Sequence, residues 1–314
     1  MPLGTPYVTP QVLTTAPLGV SWSIIPFPKS SDAEQLAAQT DVCWRATSIV
    51  DTYCNQVLRA TVDNEELSGP GGPRVGIQRD TGNGVLVMRR WPVTEVLAIQ
   101  TARNRQFPRA WSPVPAGQYE PERPLINSYT DTASATSPDG GASILLAPGY
   151  LDWREGRNAT RLLVSYTNGW PHTSLTAPAA AGDSTLSVDD VTGFTGAAAF
   201  AYDGVSTETV SVLSVAATSP LALPNGIGTA QTGPGVLTLT APLAHAHDAG
   251  VVVSSLPANV MWAAALAAAA QALEAGITSV SIQNLSGAMG EGGKGVTDVT
   301  EGYKSLLEPF RRIV

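Results

Sequence analysis

Apolar and polar positions follow different periods in different parts of the chain, and each period predicts its own element. Leu36, Cys43, Val50 and Val57 recur every seven residues, with Ala46 and Tyr53 between them. One apolar stripe at that spacing predicts a helix over residues 32–59 with one face buried, capped by Asp32. Asn, Gly and Pro then predict a break in order from Asp63 to Gly72. Residues 74–167 read as β-rich. Val85-Leu86-Val87-Met88, the run from Val93 to Gln100, Tyr119, Ile144-Leu145-Leu146 and Arg161 to Tyr166 are the strand candidates. Leu162, Val164 and Tyr166 share one face of the last. Ser128 to Gly141 is polar and reads as a surface loop.

Residues 173–256 alternate in short runs: Thr185-Leu186-Ser187-Val188, Val210 to Val215, and Val236 to Thr240, separated by Gly and Pro. That pattern predicts an all-β module, a small barrel or sandwich, inserted between Pro171 to Pro178 and Pro257. Ala258 to Ala275 follows, with nine alanines from Ala263 onward. Alanine is the best helix former, so this is a second helix, ended by Gly276. Residues 277–297 are glycine-rich and predict a mobile stretch. Asp298 and Glu301 have capping-box spacing before a short helix that puts Tyr303, Leu306, Leu307 and Phe310 on one side, with Pro309 kinking or ending it.

Residues 1–31 read as an extended arm. Six prolines prevent a long helix, yet Tyr7, Val8, Leu13, Val20, Trp22, Ile24, Ile25 and Phe27 are too apolar for a free tail. Packing on the chain's own core and contact with a neighbouring subunit both account for it.

Composition narrows the function. The net charge is −8 with a sequence pI near 4.9, against the basic balance of a phosphate-gripping protein. Between Arg161 and Lys294 there is no Lys or Arg at all. The longest apolar candidate, Val260 to Leu273, is short of a membrane span, and no positive charge precedes Lys29 as a secretory signal requires. The expectation is a soluble chain that is not exported. Cys43 and Cys54 sit eleven apart on one predicted helix, about 16 Å at 1.5 Å per residue, too far for a disulfide. They read as small core residues in a reducing compartment.

The catalytic inventory is poor, and the expectation is no enzyme, no cofactor and no metal. Gly290-Glu291-Gly292-Gly293-Lys294-Gly295 fits GxGxxG but lacks a βαβ frame and a downstream acid. Ala288 and Gly295 break the phosphate-loop pattern, so a flexible loop is the reading. His245-Ala246-His247-Asp248 has two imidazoles but needs a third zinc ligand, and turn residues closing a strand fit better. Asp51, Glu65 and Glu66 read as solvated faces. Trp91, Trp111, Trp153, Trp170 and Trp262 fit core or interface anchors better than a sugar platform.

The order of the motifs is the most specific signal. An apolar arm leads to a helix ending Val50-Asp51-Thr52-Tyr53-Cys54. Trp91-Pro92-Val93-Thr94-Glu95-Val96 and Val164-Ser165-Tyr166-Thr167-Asn168-Gly169-Trp170-Pro171 follow. Leu256-Pro257-Ala258-Asn259-Val260 opens the alanine-rich helix, and Leu306-Leu307-Glu308-Pro309-Phe310-Arg311-Arg312 lies near the last residue. Over residues 1–172 and 257–314 this resembles the head-to-tail connector (head completion, or adaptor) proteins of tailed bacteriophages. The runs Ala181 to Val188, Thr207 to Val210 and Leu239 to Gly250 are similar to a small β module of phage virion proteins, which the usual, shorter connector lacks.

The resemblance implies an α+β protein. An extended arm (1–31) precedes a discontinuous helical connector core with β-strands or a hairpin (32–172 and 257–314), and the core carries the inserted β domain (173–256). It implies a structural virion component at the neck, made in the host cytoplasm. The family assembles as a ring of about twelve copies under the portal. Its partners would be itself, the portal protein and a stopper or tail-completion protein, with genomic DNA passing through unread and no membrane contact. Helices 32–59 and 258–275 would form the ring body. Interface contacts would fall on Tyr7, Trp22, Phe27, Trp262, Tyr303, Leu306, Leu307, Phe310, Arg311 and Arg312. An acidic wall suits sliding DNA. The alternatives are a tail or baseplate protein with a glycan- or receptor-binding β module, and a cell-wall glycan hydrolase working through carboxylates distant in sequence.

Overall fold

Ser31 opens the first long helix. Its Oγ accepts from the Glu34 backbone N–H at 3.4 Å, and the Glu34 carboxylate accepts from the Ser31 N–H at 3.0 Å, a reciprocal capping box. The cap is therefore Ser31; Asp32, expected in that role, is the first helical residue, where its charge still favours the helix N-terminus. The computed structural model describes residues 4–15, 20, 22, 31–68, 75–77, 84–103, 109–121, 143–147, 160–274 and 295–311. The fold is mixed α+β, and the chain divides into two compact units, Met1–Leu58 with Leu256–Val314, and Arg59–Ser255.

The first unit is helical. It contains α1 (Pro10–Thr15), α2 (Asp32–Cys54), α3 (Ala258–Glu274), α4 (Gly295–Leu307) and a 3₁₀ turn, Glu308–Phe310. Asn55 adopts the left-handed conformation (φ 55°) and stops α2 at Cys54, so Val57 lies beyond the helix. Cys43, Ala46, Val50 and Cys54 form the buried stripe, but Leu36 at its N-terminal end is 56% exposed. Gln39 takes the next inward position and donates to the Trp22 carbonyl at 2.8 Å. α3 packs against both α2 and α4, and its alanines from Ala263 to Ala272 are buried. With methyl groups alone at these positions, helix backbones approach closely on more than one side. α4 begins at Gly295, so Asp298 lies inside the helix instead of capping it. Pro309 sits in the terminal 3₁₀ turn, as its missing N–H requires. The expected loop at 128–141, the stop at Gly276 and most of the glycine-rich stretch lie outside the described residues.

The second unit is β. Strands β1 (Thr61–Ser68), β2 (Val75–Ile77), β3 (Gly84–Val87), β4 (Val93–Arg103), β5 (Ser112–Pro113), β6 (Tyr119–Pro121), β7 (Ser143–Leu146) and β8 (Thr160–Asn168) make two antiparallel four-stranded sheets. Their orders are β1-β8-β4-β5 and β2-β3-β7-β6. Both sheets contribute to one core, including Leu67, Leu86, Ile99, Ile144, Leu146, Leu162, Val164 and Tyr166, which makes the pair a sandwich. Strand β1 occupies ground where a break was expected. Its polar side chains are held by partners that local propensity does not register: Asp63 accepts from Asn168 at 2.6 Å and pairs with Arg90 at 3.1 Å. Tertiary pairing with β8 overrides the local signal.

Residues 172–254 form the other β body. Strands β9 (His172–Ser174), β10 (Thr185–Val188), β11 (Ala198–Tyr202), β12 (Glu208–Ala217), β13 (Leu221–Ala222), β14 (Thr229–Ala230), β15 (Gly235–Leu239) and β16 (Val252–Ser254) follow one another. Six of them run in the order β10-β15-β12-β11-β16-β9, and β13-β14 is a separate hairpin. The sheet closes on itself. Thr176 N–H donates to Ser187 O at 2.9 Å and Asp189 N–H to Ser174 O at 3.1 Å, joining the first strand to the last around a Leu175–Val188 bridge. Closure removes both sheet edges. Leu186, Val188, Val191, Phe194, Val210, Val212, Leu237 and Val253 fill the interior. Leu213 faces outward by alternation, 63% exposed, and a bulge between Val212 and Ser214 leaves Ser214 outward beside it.

Candidate functional site

The interface residues expected from sequence separate into two groups. Tyr7 and Trp22 are 1% and 3% exposed, buried within their own unit. The Tyr7 hydroxyl donates to the Asp51 carboxylate and accepts from the Leu58 N–H at 2.8 Å, while the Tyr7 N–H donates to Thr47 Oγ1 at 2.9 Å. The described arm therefore lies along α2, and Asp51 is its anchor instead of a solvated carboxylate. Leu307 is fully buried, and Tyr303, Leu306 and Phe310 are partly buried. Trp262 is 41% exposed on a helix otherwise lined with buried alanines. Phe27 and Arg312 lie outside the described residues.

The segment after α4 also docks on the end of α2. The Tyr53 hydroxyl donates to Glu308 at 2.7 Å, the Arg311 guanidinium lies 5.6 Å from the Tyr53 ring centroid, and Gln56 donates to the Phe310 carbonyl at 3.2 Å. The hydrogen bond to Glu308, with burial second, pushes the Tyr53 phenol up. Both ends of the described chain thus converge on residues 47–58 of α2 and its cap.

Several carboxylates in the β unit are likewise committed, whereas Glu95 is pushed up by burial alone. Glu65 accepts from the Arg89 N–H at 2.9 Å and from the Tyr166 hydroxyl at 3.0 Å; burial and then Glu65 push that phenol up. Glu66 pairs with Arg109 at 2.6 Å and lies 3.5 Å from Arg161. Neither is a free solvated charge. Asp190 accepts from the Thr192 and Gly233 N–H groups at 2.9 and 3.0 Å.

One polar cluster was not foreseen as a cluster. His247 has a fully buried side chain, with Nδ1 3.0 Å from Asp203 and Nε2 3.0 Å from Glu208. Glu208 also accepts from the Ala244 and His245 N–H groups at 2.8 and 2.9 Å. Burial raises its carboxyl, but those two N–H groups and the His247 ring outweigh burial and hold it below the usual carboxylate value. His245 is exposed, so the two imidazoles do not converge. The available signal was charge scarcity: four acidic residues stand alone between Asp183 and Asp248, and two of them face this histidine. Among the described residues no group of three or more His, Cys, Asp or Glu has metal-binding geometry.

Remaining sequence candidates are structural. His172 is buried, with Nδ1 2.8 Å from Ser254 Oγ. Trp91 and Trp170 stack edge to face at 6.2 Å, Trp111 is partly buried, and Trp153 lies outside the described residues. Cys43 and Cys54 are free and buried, and burial pushes both thiols up to about 12. Among the described residues no helix is long and apolar enough to cross a membrane. No protein family, curated protein or solved structure matches the chain.

Proposed function

We propose that the chain is a structural virion protein of a tailed bacteriophage, a head-to-tail connector that assembles as a ring under the portal and docks the stopper or tail. The observation that carries the reading is the order of motifs from the apolar arm to Leu306-Leu307-Glu308-Pro309-Phe310-Arg311-Arg312. A helical unit built from both ends of the sequence, α1 and α2 with α3 and α4, supports it. So does the use of the carboxylates: Asp51, Glu65, Glu66, Asp190 and Glu208 each hold main chain or a neighbouring side chain. Trp262, half-exposed on α3, is the candidate side chain for the subunit contact.

Quantitative mass spectrometry of gradient-purified particles tests the proposal. About twelve copies per particle are expected for one closed ring. A count in the hundreds moves the chain to shell or tail tube, and absence from particles refutes a virion role.

A second reading, a tail or baseplate protein with a glycan-binding module, rests on Phe200 and Tyr202. These partly exposed aromatics lie 5.8 Å apart on the outer face of β11. It requires glycan binding by the intact chain that Tyr202→Ala removes.

A further inference from the structure

Within its unit the chain enters the barrel through Gly169-Trp170-Pro171. A single covalent crossing leaves a body free to pivot. Two contacts remove that freedom. The first is at the crossing itself, where Gly193 lies so close to the sandwich that a Cβ there would meet Ala60 Cβ at 2.9 Å and Thr167 Cγ2 at 3.7 Å. The second is made by the β13-β14 hairpin. Its Leu223 and Ala230, 5% and 1% exposed, pack with Ile227 against Val62, Leu97 and Ala98 of the β1-β8-β4-β5 sheet. At its tip Asn225 donates to Gln100 Oε1 at 2.6 Å, and the Gln100 amide donates to the Pro224 carbonyl at 3.4 Å.

The two contacts fall on one face of the sheet. Gln100 is opposite Leu163 in β8, and Val62 is opposite Thr167, so residues 163, 165 and 167 share that face. The Gly193 contact lies at Thr167 and the hairpin tip at Gln100 lies opposite Leu163, about 13 Å away along β8 at ~3.3 Å per residue, with the hairpin's apolar contacts to Val62 and Ala98 filling the span between. Two anchors at that separation fix a rotation that one leaves open. The hairpin contributes nothing to the barrel interior: the apolar core of the barrel contains no residue between Thr218 and Pro234. Leu223, Ile227 and Ala230 are directed to the sheet instead, while Leu221 at the base of the hairpin is 44% exposed.

We infer that the Leu221–Ala230 hairpin is a clasp whose role is to lock the barrel onto the sandwich in one orientation, and that the barrel folds without it. The barrel is then a rigid projection, not a tethered module, and its fully exposed Val205 turn is presented at a constant position. This holds whatever partner the chain has.

Spin labels at Ser112→Cys on the sheet and Ser187→Cys on the barrel, both exposed positions, report the orientation by pulsed dipolar spectroscopy of the full chain. Buried Cys43 and Cys54 stay unlabelled. The parent gives one narrow distance distribution. Replacing residues 221–230 by Asn-Gly, or introducing Leu223→Asp, broadens it at least twofold, while the barrel keeps its cooperative thermal transition. A distribution that stays narrow in Leu223→Asp overturns the inference, and this single-site variant decides the matter if the deletion does not fold. Loss of the barrel transition in Leu223→Asp also overturns it, because the hairpin is then part of the barrel fold.

Discussion

Glu208 Oε1 lies 3.0 Å from Nε2 of His247, whose other ring nitrogen lies 3.0 Å from Asp203. One imidazole thus ties the turn before β12 to the 244–248 segment, and Glu208 completes the tie through two backbone N–H groups. Removing the ring takes a partner from each of two mostly buried carboxylates, of which Glu208 keeps its two backbone N–H donors. His247→Leu is expected to destabilise the barrel by roughly 2–3 kcal/mol, read from its denaturant midpoint. His247→Gln, which keeps one donor, should lose less. Equal stability of His247→Leu and the parent would show the tie to be incidental.

The same carboxylate sets an acid limit. Glu208 is held below its ordinary value of 4.5 in the folded state. A lowered folded value means the unfolded chain binds the proton more readily, so stability falls with falling pH. The contribution is fully present above about pH 4.5 and is lost as pH drops through the lowered folded value. The barrel transition should therefore move to lower temperature below pH 4.5, and Glu208→Gln should flatten that dependence while lowering stability at pH 7.

Part of the barrel was legible because three of its strands carry alternating runs. The runs at 185–188, 210–215 and 236–240 became β10, part of β12 and β15. Strand β8 was half legible. Leu162, Val164 and Tyr166 face the sandwich core as alternation requires, but Ser165 and Thr167 on the other face are 2% and 3% exposed. Alternation predicts a solvated polar face. What covers this one comes from residues 193 and 221–230, distant in sequence. Strand β1 was missed for the same reason: Asp63, Asn64, Glu65 and Glu66 have poor strand propensity, and their partners lie at 89, 90, 109, 165 and 168. Local pattern reports which positions turn inward; it carries no record of a partner a hundred residues away.

Gly193 is required twice over. Its φ of 78° disfavours any Cβ, and the Cβ would stand 2.9 Å from that of Ala60. Gly182 has a similar φ of 95° but open space around it. Gly182→Ala should cost about 1 kcal/mol from conformation alone. Gly193→Ala should cost roughly 2–4 kcal/mol, since the clash adds to the strain. Matched thermal denaturation of the two variants separates the terms, and similar losses would mean that Ala60 yields without cost.

Cys43 and Cys54 offer a clean report on the helical unit. Burial holds both thiols at about 12, far above neutral pH, so the reactive thiolate is scarce and shielded. At pH 7.5 neither should react with a maleimide in the folded chain, and both should react within minutes in denaturant. Labelling of either in the native protein would show that α2 opens locally on that timescale.

Tyr7 joins the arm to α2 and the segment just beyond it through three hydrogen bonds, and its hydroxyl sits between the Asp51 carboxylate and the Leu58 N–H. Tyr7→Phe keeps the buried ring and the backbone bond to Thr47 but deletes that link. Asp51 retains a 3.3 Å contact to the Leu58 N–H, which limits the damage. The expected loss is about 1–2 kcal/mol in the helical unit, with earlier protease cleavage in the arm. Tyr7→Ala should cost more, about 3–5 kcal/mol, because it also empties a site that is 1% exposed. If Tyr7→Ala leaves both stability and arm protection unchanged, the arm does not rest on α2 in solution, and its apolar residues are then free to dock on a neighbouring subunit.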